Sequence, residues 1–372
     1  MKVVTLIGTR PEIIKLSRTI VLLDKFVNNI IVHTGQNYDY ELNQIFFEDL
    51  GLRKPDYFLN VAEERLSSTI ANIIKESDKI FDIEKPDALL VLGDTNSCLS
   101  TIMAKRKKIP IFHMEAGNRC FDLRVPEEIN RKLVDHISDI NFPYSEHAKN
   151  NLLNEGIHPS TIIKTGSPMK EVLDFSKKSI GSSKILSKLK LKRQEYFVAS
   201  IHREENVDST EKLNQILLSL DETVNKYGFK IILSLHPRTK KKIKKENIKL
   251  NKNILQYPPF GFNDYIQLQQ NAFCVISDSG TIFEESSILG FPAITIREAN
   301  ERPEGVDEGT VIMCDGFDKN AILKSIEICV SQYKNNPPSL PPDYNVKQVS
   351  WKILKSILSY KDYINKRIWH KN

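Results

Sequence analysis

A chain of 372 residues is long for one α/β domain, so two domains of about 150 to 200 residues are expected, each able to bury its own core. The 53 basic and 47 acidic side chains leave a net charge of +6. Much of it lies in one run, Arg238 to Lys252, where no aromatic residue interleaves with the lysines; a solvated helix face and loop is expected there, and nucleic acid is not a partner. No apolar run approaches the roughly 18 residues that span a bilayer, and no cleavable signal pattern precedes the first strand. Five cysteines without CxxC spacing, of which Cys98, Cys274 and Cys329 sit in apolar or helical context, fit ordinary thiols of a reduced compartment. A soluble, cytoplasmic protein is the expectation.

Val3 to Ile7 reads as a buried strand, and Gly8-Thr9-Arg10-Pro11-Glu12 as the turn into a helix, with Pro11 suited to its first position. Arg10 is thereby held at the mouth of a sheet. Only Gly8 of a GxGxxG pattern is present and no GxxxxGK[ST] occurs, which disfavours a nicotinamide or flavin cofactor and a P-loop. A second strand, Ile30 to His33, runs into a loop with Gln36, Asn37, Tyr38 and Asp39 as polar candidates. Ala88 to Leu92 leads into Gly93-Asp94-Thr95-Asn96-Ser97 and a helix through Lys105, and Pro110 to Met114 leads into Glu115-Ala116-Gly117-Asn118-Arg119. Strands alternating with helices imply a parallel sheet, and Asp94 and Glu115 fall at the C-terminal ends of strands, where such folds place chemistry. Pro126 then opens a helix with Glu127 and Glu128 in its first turn and Asn130-Arg131 one turn later. These charges either favour the helix start or, with Asp94 and Glu115, bring acids to one cleft, as a site needs to obtain a base near neutral pH.

Asp139 to Tyr144 and Thr161 to Ser167 complete a first domain, residues 1–176, and the Ser- and Lys-rich stretch Lys177 to Arg193 marks the boundary. A second domain, 177–346, repeats the pattern. Phe197 to Ile201 runs into His202-Arg203-Glu204-Glu205-Asn206, Lys230 to Leu235 into His236-Pro237-Arg238, and Ile254 to Tyr257 into PPFGFNDY. His202 and His236 after strands serve either structure or phosphate contact and proton transfer. Phe273 to Ser277 ends in Asp278-Ser279-Gly280-Thr281 before a helix from Ile282 to Leu289. That turn is either a cap or a diphosphate seat, and Glu284 or Glu285 in the first turns would accept ribose hydroxyls. The next strand, Phe291 to Arg297, and its charged loop Glu301-Arg302-Pro303-Glu304-Gly305 favour a nucleotide pocket over two coincident caps. Thr310 to Cys314 follows, and the amphipathic, helical Lys347 to His370 closes the chain as a separate segment, 347–372.

Together, GTRPEIIK at Gly8, GDTNS at Gly93, HMEAGNR at His113, PEEINR at Pro126, HREEN at His202, DSGTIFEE at Asp278 and ERPEG at Glu301 resemble the non-hydrolysing UDP-N-acetylglucosamine 2-epimerase family over nearly the whole chain. The resemblance implies an α/β fold of two Rossmann-like domains with a cleft between them, a GT-B-like architecture. It also implies reversible inversion at C2 of a UDP-linked 2-acetamido sugar, by elimination of UDP to a 2-acetamidoglycal and re-addition. By motif, Asp94, Glu115, Glu127 and His202 match catalytic positions. Arg10, His202, Ser279, Gly280 and Thr281 match diphosphate contacts, Glu285 the ribose ligand, and Tyr265 falls near the aromatic that lies against uracil. Lys15, Arg131, His236 and Arg302 complete the implied substrate-binding set. No metal or redox cofactor is implied; the partners are the UDP-sugar and a second copy of the chain, as a homodimer.

Four features depart from the common pattern: Thr281 where DSGG is usual, Glu204 within HREEN, a shorter span from Glu115 to Glu127, and TGQNYDYELN in place of the TAQHR pattern associated with allosteric activation. HTGQNYDYELN, GDTNSCLS, HMEAGNRCFDLRVPEEINRK and DSGTIFEESSILGFPA resemble a narrower branch. Its members convert UDP-2-acetamido-2,6-dideoxy-L-talose to UDP-N-acetyl-L-fucosamine for capsule and O-antigen (lipopolysaccharide) synthesis. Epimerisation of UDP-N-acetylglucosamine to UDP-N-acetylmannosamine is the alternative. A GT-B glycosyltransferase, a hydrolysing epimerase and a non-catalytic UDP-sugar sensor are the readings outside that chemistry.

Overall fold

The structure, a computed structural model, describes residues 1–35, 40–314 and 318–371, with main chain only at 40–43, so Gln36, Asn37, Tyr38 and Asp39 lie outside the described residues. The chain divides into two compact units, Met1–Phe175 with Pro342–Asn372, and Ser176–Pro341.

The first unit carries β1 (Lys2–Ile7), β2 (Asn28–His33), β3 (Tyr57–Phe58), β4 (Ala88–Leu92), β5 (Ile111–Met114) and β6 (Ile140–Phe142) in a parallel sheet of order β3-β2-β1-β4-β5-β6. The second carries β7 (Tyr196–Ser200), β8 (Lys230–Ser234), β9 (Ile254–Tyr257), β10 (Cys274–Ser277), β11 (Ala293–Thr295) and β12 (Ile312–Met313), ordered β12-β11-β10-β7-β8-β9. The two windings are the same. In each sheet the chain steps outward over three strands, returns to the centre, and steps outward on the other side, so the direction reverses between β1 and β4 and again between β7 and β10. In doubly wound sheets ligands bind at the carboxyl ends of the strands at that reversal.

Helices on both faces explain why the strands are apolar throughout instead of alternating with polar residues. All five residues of β4 are buried. In β7, Phe197 and Ala199 join the apolar cluster of Ile216 and Ile326, while Tyr196 and Val198 join that of Leu268 and Phe283 on the other face. At the carboxyl edge, Ser200 pairs with Ser234 and with Ser277, and Ser277 with Thr295, so four strands end in register.

Several elements differ from expectation. A two-residue β3 and the long helix Leu66–Glu84 follow β2. Thr161 to Ser167 follows a 3₁₀ turn, Pro159–Thr161, and carries one bridge, Asn141 to Ile162. The Ser- and Lys-rich stretch is helical, in Met169–Ser182 and Ile185–Lys188, and the division between the units falls inside the first of these. The closing segment begins at Pro342 and belongs to the first unit. Its helix, Val349–Arg367, buries Val349, Ile353, Leu354, Ile357 and Ile364, and Trp351 meets Phe26 of the Arg10–Phe26 helix at 5.3 Å between ring centroids. All five cysteines are thiols, outside any disulfide, and four are buried. Among the described residues, no helix is long and apolar enough to cross a membrane.

Candidate active site

In the first unit the chemistry-bearing residues gather on the carboxyl edge around the β1–β4 reversal. Thr9 precedes the Arg10–Phe26 helix in extended backbone with Pro11 in its first turn, so Arg10 opens the helix, its guanidinium 5.9 Å from the Phe46 ring. Glu12, one turn in, reaches back: its Oε2 accepts from the Gly8 and Thr9 N–H groups at 2.9 and 2.6 Å and from the Thr9 hydroxyl at 2.8 Å. Its Oε1 accepts from the Thr95 hydroxyl at 3.0 Å. Burial raises this carboxyl more than the four hydrogen bonds lower it, and it is pushed up to about 7.

Lys15, buried on the same helix, makes a 2.6 Å ion pair with Glu115, which follows β5 at φ +63°. The Lys15 ammonium also lies 5.4 Å from the Tyr144 ring. Beyond β4, Asp94 accepts from Arg131 Nε at 3.0 Å and Nη2 at 2.5 Å. The Asn130 amide donates to the Asp94 carbonyl and to Asn96 Oδ1, both at 3.0 Å. Asn130 and Arg131 sit on the Pro126–Ile137 helix one turn after Glu127 and Glu128, so that helix brings the two parts of PEEINR to the β4 loop. Its two glutamates differ. Glu128 is fully buried and accepts from the Cys120 and Phe121 N–H groups at 3.0 and 3.2 Å and from Arg131 Nη1 at 2.9 Å, a structural strut. Glu127 is half-buried.

Sequence reasoning missed the group that holds these loops together. Asp135, 1% exposed, accepts from the Gly117 N–H at 3.1 Å and Arg119 Nη1 at 2.7 Å, and lies 3.0 Å from His113 Nδ1, whose ring donates through Nε2 to the Gly93 carbonyl at 2.8 Å. The ends of β4 and β5 are thereby joined. Gly117 is required there: its φ is +82°, and a Cβ would run into the Ala148 carbonyl. The available signal was His113 and Arg119 within HMEAGNR, but Asp135 lies 16 residues on from Arg119 inside a helix and carries no local mark.

In the second unit His202 follows β7, half-buried, with Nδ1 3.0 Å from Asp278 Oδ1. Asp278 is fully buried and also accepts from the His202 and Arg203 N–H groups at 2.9 Å each and from the Asn206 amide at 3.1 Å. Burial alone would raise this carboxyl, but His202 and the hydrogen bonds outweigh it and hold it at about 2. His236, 6.4 Å from His202 between ring centroids, accepts the Arg238 N–H through Nδ1, which leaves the proton on Nε2.

After β10, the Ser279 and Thr281 hydroxyls lie 3.0 Å apart at the head of the Ile282–Leu289 helix. A Cβ on Gly280 would meet Arg302 Nη1, with Glu301 Oε1 at 2.8 Å and Arg297 Nη1 at 3.2 Å. Arg297 pairs with Glu301 at 2.7 Å and Arg302 Nη1 lies 3.3 Å from the same carboxylate, so two guanidinium groups share one acid beside the turn. Helix-start N–H groups and two hydroxyls, with the Arg297 and Arg302 guanidinium groups beside them, make an anion seat. Glu285, 6% exposed, accepts from Gln269 Nε2 at 2.8 Å, and Glu284 lies 3.6 Å from Arg302 Nε. Tyr265, on the Phe262–Gln270 helix with Gln269, is partly buried against the Leu268–Phe283 cluster. Among the described residues, no group of three or more His, Cys, Asp or Glu is placed to hold a metal ion.

Comparison with known proteins shows the family. A family model described as UDP-N-acetylglucosamine 2-epimerase matches residues 23–358. The solved UDP-N-acetylglucosamine 2-epimerase of Rickettsia bellii superposes with a TM-score of 0.93 at 51% identity over 100% of both chains. The Methanocaldococcus jannaschii UDP-GlcNAc 2-epimerase, solved with UDP-GlcNAc and UDP, gives 0.90 at 37% identity, covering 97% of this chain and 100% of that one. A curated relative, the UDP-2,3-diacetamido-2,3-dideoxy-D-glucuronate 2-epimerase of Pseudomonas aeruginosa, is 36% identical over 331 residues, 87% of this chain and 91% of its own. The two α/β units are of GT-B-like type, as in these epimerases. The chain belongs to the non-hydrolysing UDP-N-acetylglucosamine 2-epimerase family and is an isomerase of UDP-linked sugars.

Proposed function

We propose that the chain inverts C2 of a UDP-linked 2-acetamido sugar by expelling UDP and adding it back. The observation that carries this reading is the set of acids with their own cations, Glu115 with Lys15 and Asp94 with Arg131, on one strand edge of a family member whose other sheet edge forms an anion seat. No carbonyl activates the C2 proton, so it leaves only as the C1–O bond breaks. A carboxylate takes the proton, the C–H electron pair forms the C1–C2 double bond, and the C1–O pair goes to the diphosphate oxygen. In the return step a proton reaches the opposite face of C2 and the diphosphate re-adds at C1. Asp94, Glu115 and Glu127 supply acid and base to the two faces. Arg10, His202 and the Ser279–Thr281 turn, with His236 and Arg302, take the charge that grows on the diphosphate. Glu285 holds the ribose and Tyr265 lies against uracil.

The proposed substrate is UDP-2-acetamido-2,6-dideoxy-L-talose, converted to UDP-N-acetyl-L-fucosamine in the cytoplasm for capsule or O-antigen assembly. The motifs from His33 to Ala293 support it. A second reading, UDP-N-acetylglucosamine to UDP-N-acetylmannosamine, is favoured by the names of the Rickettsia bellii and Methanocaldococcus jannaschii proteins. Incubation with each nucleotide, resolving UDP, free sugar and epimer, decides. The expected result is epimer without free sugar, and turnover of the 6-deoxy-L-talo nucleotide at least about 10-fold above that of UDP-N-acetylglucosamine, a floor that one small substituent alone would supply and that the different ring stereochemistry adds to. The reverse preference selects the second reading, and free sugar selects a hydrolysing enzyme.

A further inference from the structure

Glu12 has no role in the reaction as described, yet it is 1% exposed and the most heavily bonded carboxyl of the β1 turn. Every group it contacts through these bonds donates to it. Three of them, the Gly8 N–H and the N–H and hydroxyl of Thr9, belong to the turn and are what a helix start asks of a side chain at this position. The fourth is different. The Thr95 hydroxyl reaches Glu12 Oε1 from the loop after β4, 83 residues away in sequence, and adds nothing to the cap. One carboxyl therefore ties together the two loops at the β1–β4 reversal, the loop that ends in Arg10 and the loop that carries Asp94 one residue before Thr95. On the far side Asp94 is held by the Pro126–Ile137 helix, through Arg131 and Asn130. Burying a carboxyl is expensive and a cap does not need it, whereas a rigid link between two loops does.

We propose that Glu12 is a positioning residue: by bonding the Thr9 turn and Thr95 at once, it fixes the separation of the Arg10 guanidinium and the Asp94 carboxylate. The inference rests on the roles given above to Arg10 and Asp94. Neither is touched by Glu12 directly; it acts through the main chain on which they stand. Glutamine suits the same place, because its oxygen accepts from the turn while its NH₂ donates to a Thr95 hydroxyl turned the other way. Valine at position 95 removes only the link between the loops and leaves the helix start as it is.

The test uses the full chain and whichever of the two nucleotides it turns over. Thr95→Val, Glu12→Ala and Glu12→Gln are compared with Arg10→Ala and Asp94→Asn by kcat, KM and melting temperature. The expected result is a fall in kcat of about 10- to 100-fold for Thr95→Val and Glu12→Ala, the scale of a misplacement near 1 Å, with KM little changed. Thr95→Val should melt within a few degrees of wild type, and Glu12→Gln should recover kcat to within about threefold. If Arg10→Ala and Asp94→Asn lose turnover while Thr95→Val and Glu12→Ala keep it, Glu12 is only a helix cap and the inference is overturned. If Arg10→Ala and Asp94→Asn themselves keep wild-type turnover, the reading beneath it fails and the inference goes with it. Should Glu12→Ala not fold, Thr95→Val alone decides.

Discussion

Two buried carboxyls at the sheet edges shift in opposite directions, and each leaves a signature in stability against pH. Asp278 is held at about 2, below its ordinary 3.8, so its contribution is present above pH 4 and is lost as the pH falls from about 4 to 2. Asp278→Asn should therefore cost about 2 kcal/mol at pH 7, and the gap to wild type should close towards pH 2; urea midpoints at pH 7 and pH 3 test this. Glu12 is pushed up to about 7, above its ordinary 4.5, among Thr9, Thr95 and the Asp94 and Cys98 side chains of the neighbouring loop. Its contribution is present below pH 4.5 and is lost as the pH rises through 7, so Glu12→Gln should melt above wild type at pH 8 and level with it near pH 4.5. An equal difference at both values would contradict the assignment. Neither shift was legible in the sequence. Asp278 was visible as a turn residue and Glu12 as part of GTRPE, but what acts on them, burial and donors from loops 75 to 83 residues away, exists only in the fold.

At the scale of elements, the strands that end in motif loops could be placed within a residue or two, because an apolar run followed by Gly, Asp, Ser or His marks both the strand and the edge where it stops. β3 could not, since two residues carry no period, and Lys177 to Arg193, whose first residues end the Met169–Ser182 helix, was read as a boundary because Ser and Lys compose loops and exposed helix faces alike. Thr161 to Ser167 was given no element by its residues; Ile162 bridges Asn141 of β6. The turn after β5 tests how tightly an element can hold a catalytic side chain. Gly117→Ala places a methyl against the Ala148 carbonyl at positive φ, and the Glu146–Asn154 helix would have to move. A loss of about 1 to 3 kcal/mol in chemical unfolding is expected, with turnover reduced because Glu115 stands two residues away. The Val349–Arg367 helix should be equally necessary. Ile357→Ala, at a fully buried position of that helix, should cost about 2 to 5 kcal/mol, measured the same way.

For the whole molecule, two copies of one parallel-sheet architecture were legible from the repeated strand-and-turn motifs, while the strand order and its central reversal exist only in the fold. The sugar was legible only through the narrower motif resemblance, since the candidates share the chemistry at C1 and C2 and differ in ring stereochemistry and at C6, away from the reacting bonds. If the reading is right, substitutions in the two units separate by kinetics. Asp94→Asn, Glu115→Gln and Glu127→Gln should still bind UDP, with turnover nearly abolished for at least one of them, whereas Arg10→Ala and His202→Ala should lose about 10²- to 10³-fold in rate as leaving-group stabilisation goes. Calorimetric titration with UDP beside steady-state rates distinguishes these classes. The central claim is that C2 loses its hydrogen to a carboxylate that exchanges with solvent, and running the epimerisation in deuterated water tests it most directly. Mass and proton spectra of the product should show one deuterium at C2; an epimer that keeps its original C2 hydrogen throughout would contradict elimination and re-addition.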